Sequence, residues 1–409
     1  MISLLANEDF YNAVSRNVEE GSVLTGLLMM VGITAIVALV FVAIMVVAAI
    51  WAERRVSGRI QVRRGPNRVG WAGILQGPAD GIKLIAKEWT EPAGSDTLFF
   101  RLSPVLVFAG AFVGFVAVPF SHVMVVADFN VALFFILAVT SLETIGVLMG
   151  GWAANSKWSL LGAIREAVQV VSYEIPLALT AMIAIVAYGS MSLMDIQAAQ
   201  GVGVGSWMNI FAWGIFRSPI FMGLGCIMFY VACLASCKRT PFDLPEGESE
   251  LVAGYHTEYP GMGFGMMFFG EYASMYLMCV LCVLLFLGGS GFMGVENIHI
   301  VTIPLKQITT VLTLGFFPID ATLPFHLGFV ILFAKTTVLY FVMLQLRWTL
   351  PRYRLDQVID MCLKVLLPWA LFCIVAQGFW TLAGLDDWIF NLFEIWGLDV
   401  NSALKIAVN

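Results

Sequence analysis

Apolar residues in this chain come in runs long enough to cross a bilayer, separated by shorter polar stretches. A helix needs about 20 mostly apolar residues to span roughly 30 Å of hydrocarbon. Eight runs meet that length, at about 27–51, 101–120, 129–151, 168–189, 219–237, 265–288, 325–347 and 363–384. The pattern predicts an all-α polytopic membrane protein with eight transmembrane helices. It predicts a single membrane domain over residues 27–384, with an outer N-terminal segment 1–26 and an outer C-terminal segment 385–409.

An even number of spans puts both termini on one side. With the termini outside, the inner loops are about 52–101, 152–167, 238–264 and 347–364. Of the 22 Lys and Arg residues, only Arg16, Arg217, Lys306 and Lys405 then lie outside, and Lys335 lies within a span. All the others are on the inner side, the bias expected of cytoplasmic loops. Part of the first inner loop is amphipathic. From Gly77-Pro78, the apolar Pro78, Ile82, Ile85 and Trp89 recur at helical spacing, and Asp80, Lys83 and Lys87 fall opposite. Pro at a first helical position and this split predict a helix lying in the cytoplasmic membrane interface.

Composition agrees with the pattern. Hydrophobic residues make up 60% of the chain and charged residues 12%, about half the charged share of a soluble domain. The first 21 residues lack the basic start and short apolar run of a cleavable leader, and carry Glu8, Asp9, Arg16, Glu19 and Glu20 instead. Cys279-Val-Leu-Cys282 has the spacing of a redox pair but lies inside an apolar run. It reads as two small core residues, as do Cys226, Cys233 and Cys237. Segments 190–218 and 289–324 are Gly-rich and apolar, and read as outer surface helices or packing arms.

Candidate chemistry lies in the ionisable residues. Glu143, Glu174, Glu271 and Lys335 fall within expected spans, where charge is costly and faces a bundle interior or a water-filled path. Pro176 deprives the Ser172 carbonyl of its helical donor, which predicts a broken backbone at a polar cavity beside Glu174. The inner loop 238–264 carries Asp243, Glu246, Glu248, Glu250 and Glu258, interleaved with Pro241, Phe242, Leu244 and Pro245. The interleaving suggests a packed loop. Glu246 and Glu250, four apart, could share a helix face that excludes Glu248.

Several of these stretches resemble one family. They include Glu53-Arg-Arg, Gly58-Arg-Ile-Gln61, Arg63-Arg-Gly-Pro-Asn-Arg68, Lys83-Leu-Ile-Ala-Lys-Glu88, Asn155-Ser-Lys157 and Val171-Ser-Tyr-Glu174. The longest runs from Arg239-Thr-Pro-Phe-Asp-Leu-Pro-Glu246 to Thr257-Glu-Tyr259, followed by Glu271-Tyr272 and Arg347-Trp-Thr-Leu-Pro-Arg352. Together they resemble the quinone-site membrane subunit of respiratory complex I, found in bacterial NADH:quinone oxidoreductase and in its mitochondrial counterpart. The resemblance implies a bacterial inner-membrane subunit of a proton-translocating enzyme, without a cofactor of its own. It implies ubiquinone or menaquinone as substrate, and iron–sulfur clusters and FMN in partner subunits. Partners would be peripheral iron–sulfur and quinone-site subunits, small membrane subunits, antiporter-like membrane subunits and the lipid bilayer, with no nucleic acid.

Carried onto this chain, the resemblance assigns Arg54, Arg59, Arg64, Arg68, Asp80, Lys83, Lys87, Arg239, Phe242 and Asp243 to the quinone chamber and its entrance. It makes Glu246, Glu248, Glu250 and Glu258 a link to the buried acids, and Glu174 and Glu271 the start of a polar path. No residue of this chain is expected to ligate a metal. The chain departs from the family where Ser236-Cys-Lys-Arg239 replaces a stretch that usually begins with glutamate. Glu166 and Glu143 stand where small or apolar residues are usual. The expectation is that Glu166, with Glu143, supplies the carboxyl missing at 236; the alternative is a divergent complex whose proton coupling through this subunit is altered. Two other readings are a membrane anchor of a related hydrogenase or formate hydrogenlyase, and a stand-alone ion transporter. The long 240–259 motif and the basic 54–68 loop favour the quinone enzyme.

Overall fold

In a computed structural model the apolar runs form helices. The structure describes residues 23–121, 125–200, 210, 212–245, 247–292, 299–304 and 322–385, with the side chains of 23–39, 41, 248–249, 299–304 and 322–326 outside that description. The longer helices are α1 (Val23–Ile60), α2 (Gln76–Ala86), α3 (Thr97–Gly114), α4 (Ala132–Ala153), α5 (Lys157–Tyr188), α6 (Phe221–Ser236), α7 (Gly261–Phe286), α8 (Leu327–Thr349) and α9 (Leu355–Leu382). Among the described residues the helices are joined by loops, and the strands form one two-stranded antiparallel ribbon, β1 (His299–Pro304) with β2 (Thr322–His326).

Six helices among the described residues are long and apolar enough to cross a membrane: α3 with its following turn, α4, α5, α7, α8 and α9. Expected span 27–51 falls within α1, part of whose side chains lie outside the description. Expected span 219–237 appears as α6, apolar but only 16 residues long.

Several boundaries differ from the sequence reading. α5 begins at Lys157, so most of the expected 152–167 loop is helix, and Arg165 and Glu166 project from it. α9 begins at Leu355 and passes through a π-helical turn at Cys362–Leu366. α2 starts two residues before Pro78 and ends at Ala86, leaving Trp89 beyond it. Its apolar face is open, with Ile82 68% and Ile85 69% exposed. Pro176 does not break α5, which continues to Tyr188 and stops at Gly189 in the left-handed region, φ 72°. The Ser172 carbonyl accepts a hydrogen bond from the Cys362 thiol instead.

α7 is the axis of the bundle. From Gly270 to Phe286 every residue is buried, as expected of a helix that is apolar all round. It packs against α1, α2, α3, α6 and α8. Cys233, Cys279 and Cys282 lie in this core. α3 and α4 approach closely because Gly110 faces the α4 backbone: a Cβ there would lie 2.9 Å from Glu143 N. That approach sets Glu143 inside the bundle.

Lys335, expected as a candidate buried titrating group, has a structural position. Its Nζ donates to the carbonyls of Leu287, Gly289 and Gly291 at 2.7, 3.1 and 2.7 Å, just past the C-terminus of α7. It also sits 3.9 Å from the Trp213 ring centroid. The cation satisfies acceptors and complements the helix dipole.

Candidate functional site

The candidate residues form a line of charge from the corner between α1 and α2 into the bundle. At its start, Arg54 on α1 pairs with Asp80 on α2 at 2.6 Å, and Gln76 donates to the same carboxylate at 3.1 Å. Partial burial raises the Asp80 carboxyl. The Arg54 and Gln76 hydrogen bonds outweigh this and hold it below the usual carboxylate range. Trp51 and Arg55 donate to the Ala72 carbonyl at 3.1 and 2.7 Å, fastening the intervening loop. Arg59, Arg64, Arg68, Lys83 and Lys87 are exposed around this corner. They form a basic rim.

Next inward lies a buried clamp. Glu53 contacts Arg347 on α8 and lies 3.6 Å from Arg239, which follows α6. The Arg239 guanidinium lies 4.6 Å from the Tyr272 ring centroid on α7. Phe242 is buried between Tyr173 and Tyr353, with ring centroids 5.5 and 5.8 Å away. Gln169 of α5 donates to the carbonyls of Ala235 and Phe242 at 2.7 and 2.8 Å. Arg352 approaches the Asp243 carbonyl at 3.5 Å. The 239–244 loop is packed, as its interleaved apolar residues suggest.

Deeper still, Glu271 of α7 accepts a hydrogen bond from the Tyr255 hydroxyl at 2.6 Å, and His256 Nε2 lies 3.5 Å away. Lys238 sits 5.7 Å over the Tyr255 ring. Its Nζ donates to Glu143 of α4 at 3.0 Å and contacts Glu166 of α5. All three charged side chains are buried. Lys238 has a φ of 55°, an unusual backbone conformation for a residue with a Cβ. A cavity of about 330 Å³ opens beside Glu143 and Lys238, and Glu174, Ser236 and Ser274 also line it.

The structure therefore brings Glu143, Glu166 and Lys238 together, and places Glu174 on the cavity shared with Glu143. It sets Glu250 elsewhere. That side chain is 52% exposed and bridged by Arg165 at 2.7 Å and Arg352 at 2.8 Å. The Arg165 hydrogen bond, then the Arg352 charge, hold its carboxyl below the usual range. Glu258 is half-buried. Glu246 and the side chain of Glu248 lie outside the described residues.

Sequence reasoning missed Glu53, Arg347, Tyr255 and His256 as members of the line, and took Lys238 for a loop cation. The signal for Lys238 was available. It follows an apolar run, and Glu166 and Lys238 are opposite charges at two of the places where the chain departs from the family it resembles.

These features define a polytopic membrane protein that carries paired charge through its helix core. The chain belongs to the NADH dehydrogenase family, whose profile matches residues 33–378. It is 40% identical over 358 residues to the H subunit of NADH-quinone oxidoreductase from Anaeromyxobacter dehalogenans, covering 87% of this chain and 83% of that one. It is 36% identical over 366 residues to an H subunit of the same enzyme, numbered 2, from Cytophaga hutchinsonii, covering 84% of this chain and 97% of that one.

Proposed function

We propose that this chain is the quinone-chamber membrane subunit of a proton-translocating NADH:quinone oxidoreductase. The observation that carries the reading is the line of ionisable groups from the Arg54–Asp80 corner to the Glu174 cavity, within a chain of this family. In this reading the bundle has eight spans with both termini outside, and α2 lies in the inner interface. The open apolar face of α2 and the basic residues around it support that placement. The quinone head enters between α1, α2 and α7, past the basic rim, towards Arg239, Phe242 and Asp243. Peripheral iron–sulfur subunits deliver the electrons, and small and antiporter-like membrane subunits lie beyond the bundle.

The chain's own work is electrostatic. Quinone reduction creates negative charge and a demand for protons. Arg239 and Glu53 face the chamber side of the line, and Glu271, Glu143, Glu166 and Glu174 lie further along it. Ionisable groups in a low-dielectric interior respond to a nearby charge by exchanging protons. Coupling of this kind is a free energy shared between two sites. In this reading Glu246, Glu248, Glu250 and Glu258 link the chamber to the buried acids, as the family resemblance implies.

Photolabelling tests the chamber assignment. An azido-quinone bound to the purified assembly should label peptides from residues 51–88 and 239–275, and excess quinone should suppress the labelling. Labelling confined to other subunits refutes the assignment.

A further inference from the structure

The buried group Glu143–Lys238–Glu166 has an unequal charge count. Two carboxylates from different helices face one ammonium, and all three side chains are at most 8% exposed. One ammonium neutralises one carboxylate. Burial of charge is tolerated when it is paired and strongly disfavoured when it is not. The arrangement therefore has two neutral forms, with a proton on Glu143 or on Glu166 and the ammonium paired to the other.

Three further observations bear on the group. Among the described residues, Glu166 Oε2 has no hydrogen-bond donor. Glu143 and Lys238 line the half-open cavity of about 330 Å³ that also holds Glu174, Ser236 and Ser274, whose polar groups can bind water there. Lys238 is held at positive φ at the end of α6, the kind of local strain found where a side chain must be aimed. The groups facing the triad are the Tyr255 ring, with Glu271 and His256 behind it, and Cys237 and Arg239 on either side of Lys238 in the chain.

We propose that Glu143, Lys238 and Glu166 form a one-proton holding site, in which Lys238 swings between the two carboxylates as the proton moves the opposite way. The proposal rests on the complex I reading above and adds a residue, Lys238, to its path. In the step, the O–H bond of the Glu166 carboxylic acid breaks and the proton passes by water to Glu143 Oε. Lys238 keeps its three N–H bonds and transfers its pairing from Glu143 to Glu166. The proton then leaves Glu143 through the cavity towards Glu174 as a second proton, from the inner side, binds Glu166 and Lys238 returns to Glu143, so that one of the two carboxyls is protonated throughout. No electrons are exchanged. Position 236 needs no carboxyl in this scheme, because Glu166 supplies the acid and Lys238 the counter-charge.

The test uses the assembled enzyme in proteoliposomes, with the number of protons translocated per quinone reduced as the readout. The variants are Glu166→Gln, Glu143→Gln, Lys238→Arg and the charge-neutral double variant Lys238→Met/Glu166→Gln. Infrared difference spectra between oxidised and reduced quinone supply a second readout. The expected result is a carboxylic-acid C=O band in the wild type that disappears in Glu166→Gln or Glu143→Gln and moves in Lys238→Arg. The proton-to-quinone ratio should fall in the double variant even where assembly is intact. A wild-type ratio in the double variant, or a C=O band unchanged in all single variants, overturns the proposal. If the double variant does not assemble, the infrared bands of wild type and Lys238→Arg decide it alone. A wild-type assembly that does not reduce quinone refutes the underlying complex I reading instead.

Discussion

Replacing Glu53 by alanine is expected to loosen the joint between α1, α8 and the 239–244 loop. Glu53 is 5% exposed and stands between two guanidiniums, with Arg239 at 3.6 Å and Arg347 in direct contact. At an effective dielectric constant near 20, one such pair at 3.6 Å attracts by about 4–5 kcal/mol before desolvation is counted. The Tyr340 hydroxyl adds a longer contact at 3.5 Å. Removing the shared carboxylate leaves two cations facing each other in a largely dry site, a class of change that costs about 3–5 kcal/mol. For a chain of 409 residues, that corresponds to a melting temperature lower by on the order of 5 °C. The assay is thermal melting of the detergent-purified protein, run beside quinone reduction. Because the loss comes from uncompensated charge, Arg347→Met placed on Glu53→Ala should recover part of the stability. Unchanged melting in Glu53→Ala, or a further loss in the double variant equal to the sum of the singles, refutes the reasoning.

Three other outcomes are expected. Lys335→Met removes charged hydrogen bonds to the carbonyls beyond α7 and should lower stability by about 1.5–3 kcal/mol, read as a lower melting temperature without a change in the pH profile of quinone reduction. The Arg54–Asp80 tie should show the pH dependence of a depressed carboxyl. Its contribution, about 0.5–1 kcal/mol for so exposed a pair, is full above the ordinary Asp range and is lost as pH falls through the lower folded value. Asp80→Asn should flatten that acid limb in a melting series. Arg165→Ala or Arg352→Ala should cost less than about 1 kcal/mol, because Glu250 is a screened surface partner; the loss should shrink further in high salt, and a large salt-insensitive loss would show that the bridge is buried in the assembly.

The helical architecture was legible because membrane crossing imposes length and apolarity directly on the sequence. α4, α7 and α8 lie within a few residues of their expected limits. Boundaries failed where protein packing replaces lipid as the surroundings. α5 extends well before its apolar run, since Glu166 and Gln169 find partners inside the bundle. Pro176 left the helix intact because a thiol on α9 satisfied the freed carbonyl, a contact 190 residues away that no local pattern encodes.

Glu143, Glu174 and Glu271 were visible one by one as charges in apolar runs, and Glu166 only as a departure from the family pattern. Their partners were not. Glu53 and Lys238 border loops, where a charge ordinarily meets water, and only the tertiary approach of α1 to α8, and of α4 to α5, turns them inward. Lys335 shows the converse. It was conspicuous as a lone cation in a span, yet it closes the end of a helix.

The central claim, that this chain serves quinone reduction coupled to proton movement, is tested most directly by purification in mild detergent through a C-terminal tag. The purified material is then assayed for NADH:quinone reduction with an inhibitor of the quinone chamber. The account predicts a large assembly containing iron–sulfur subunits and inhibitor-sensitive quinone reduction. A hydrogenase-type partner without quinone activity, or a lone protein that moves ions unaided, would contradict it.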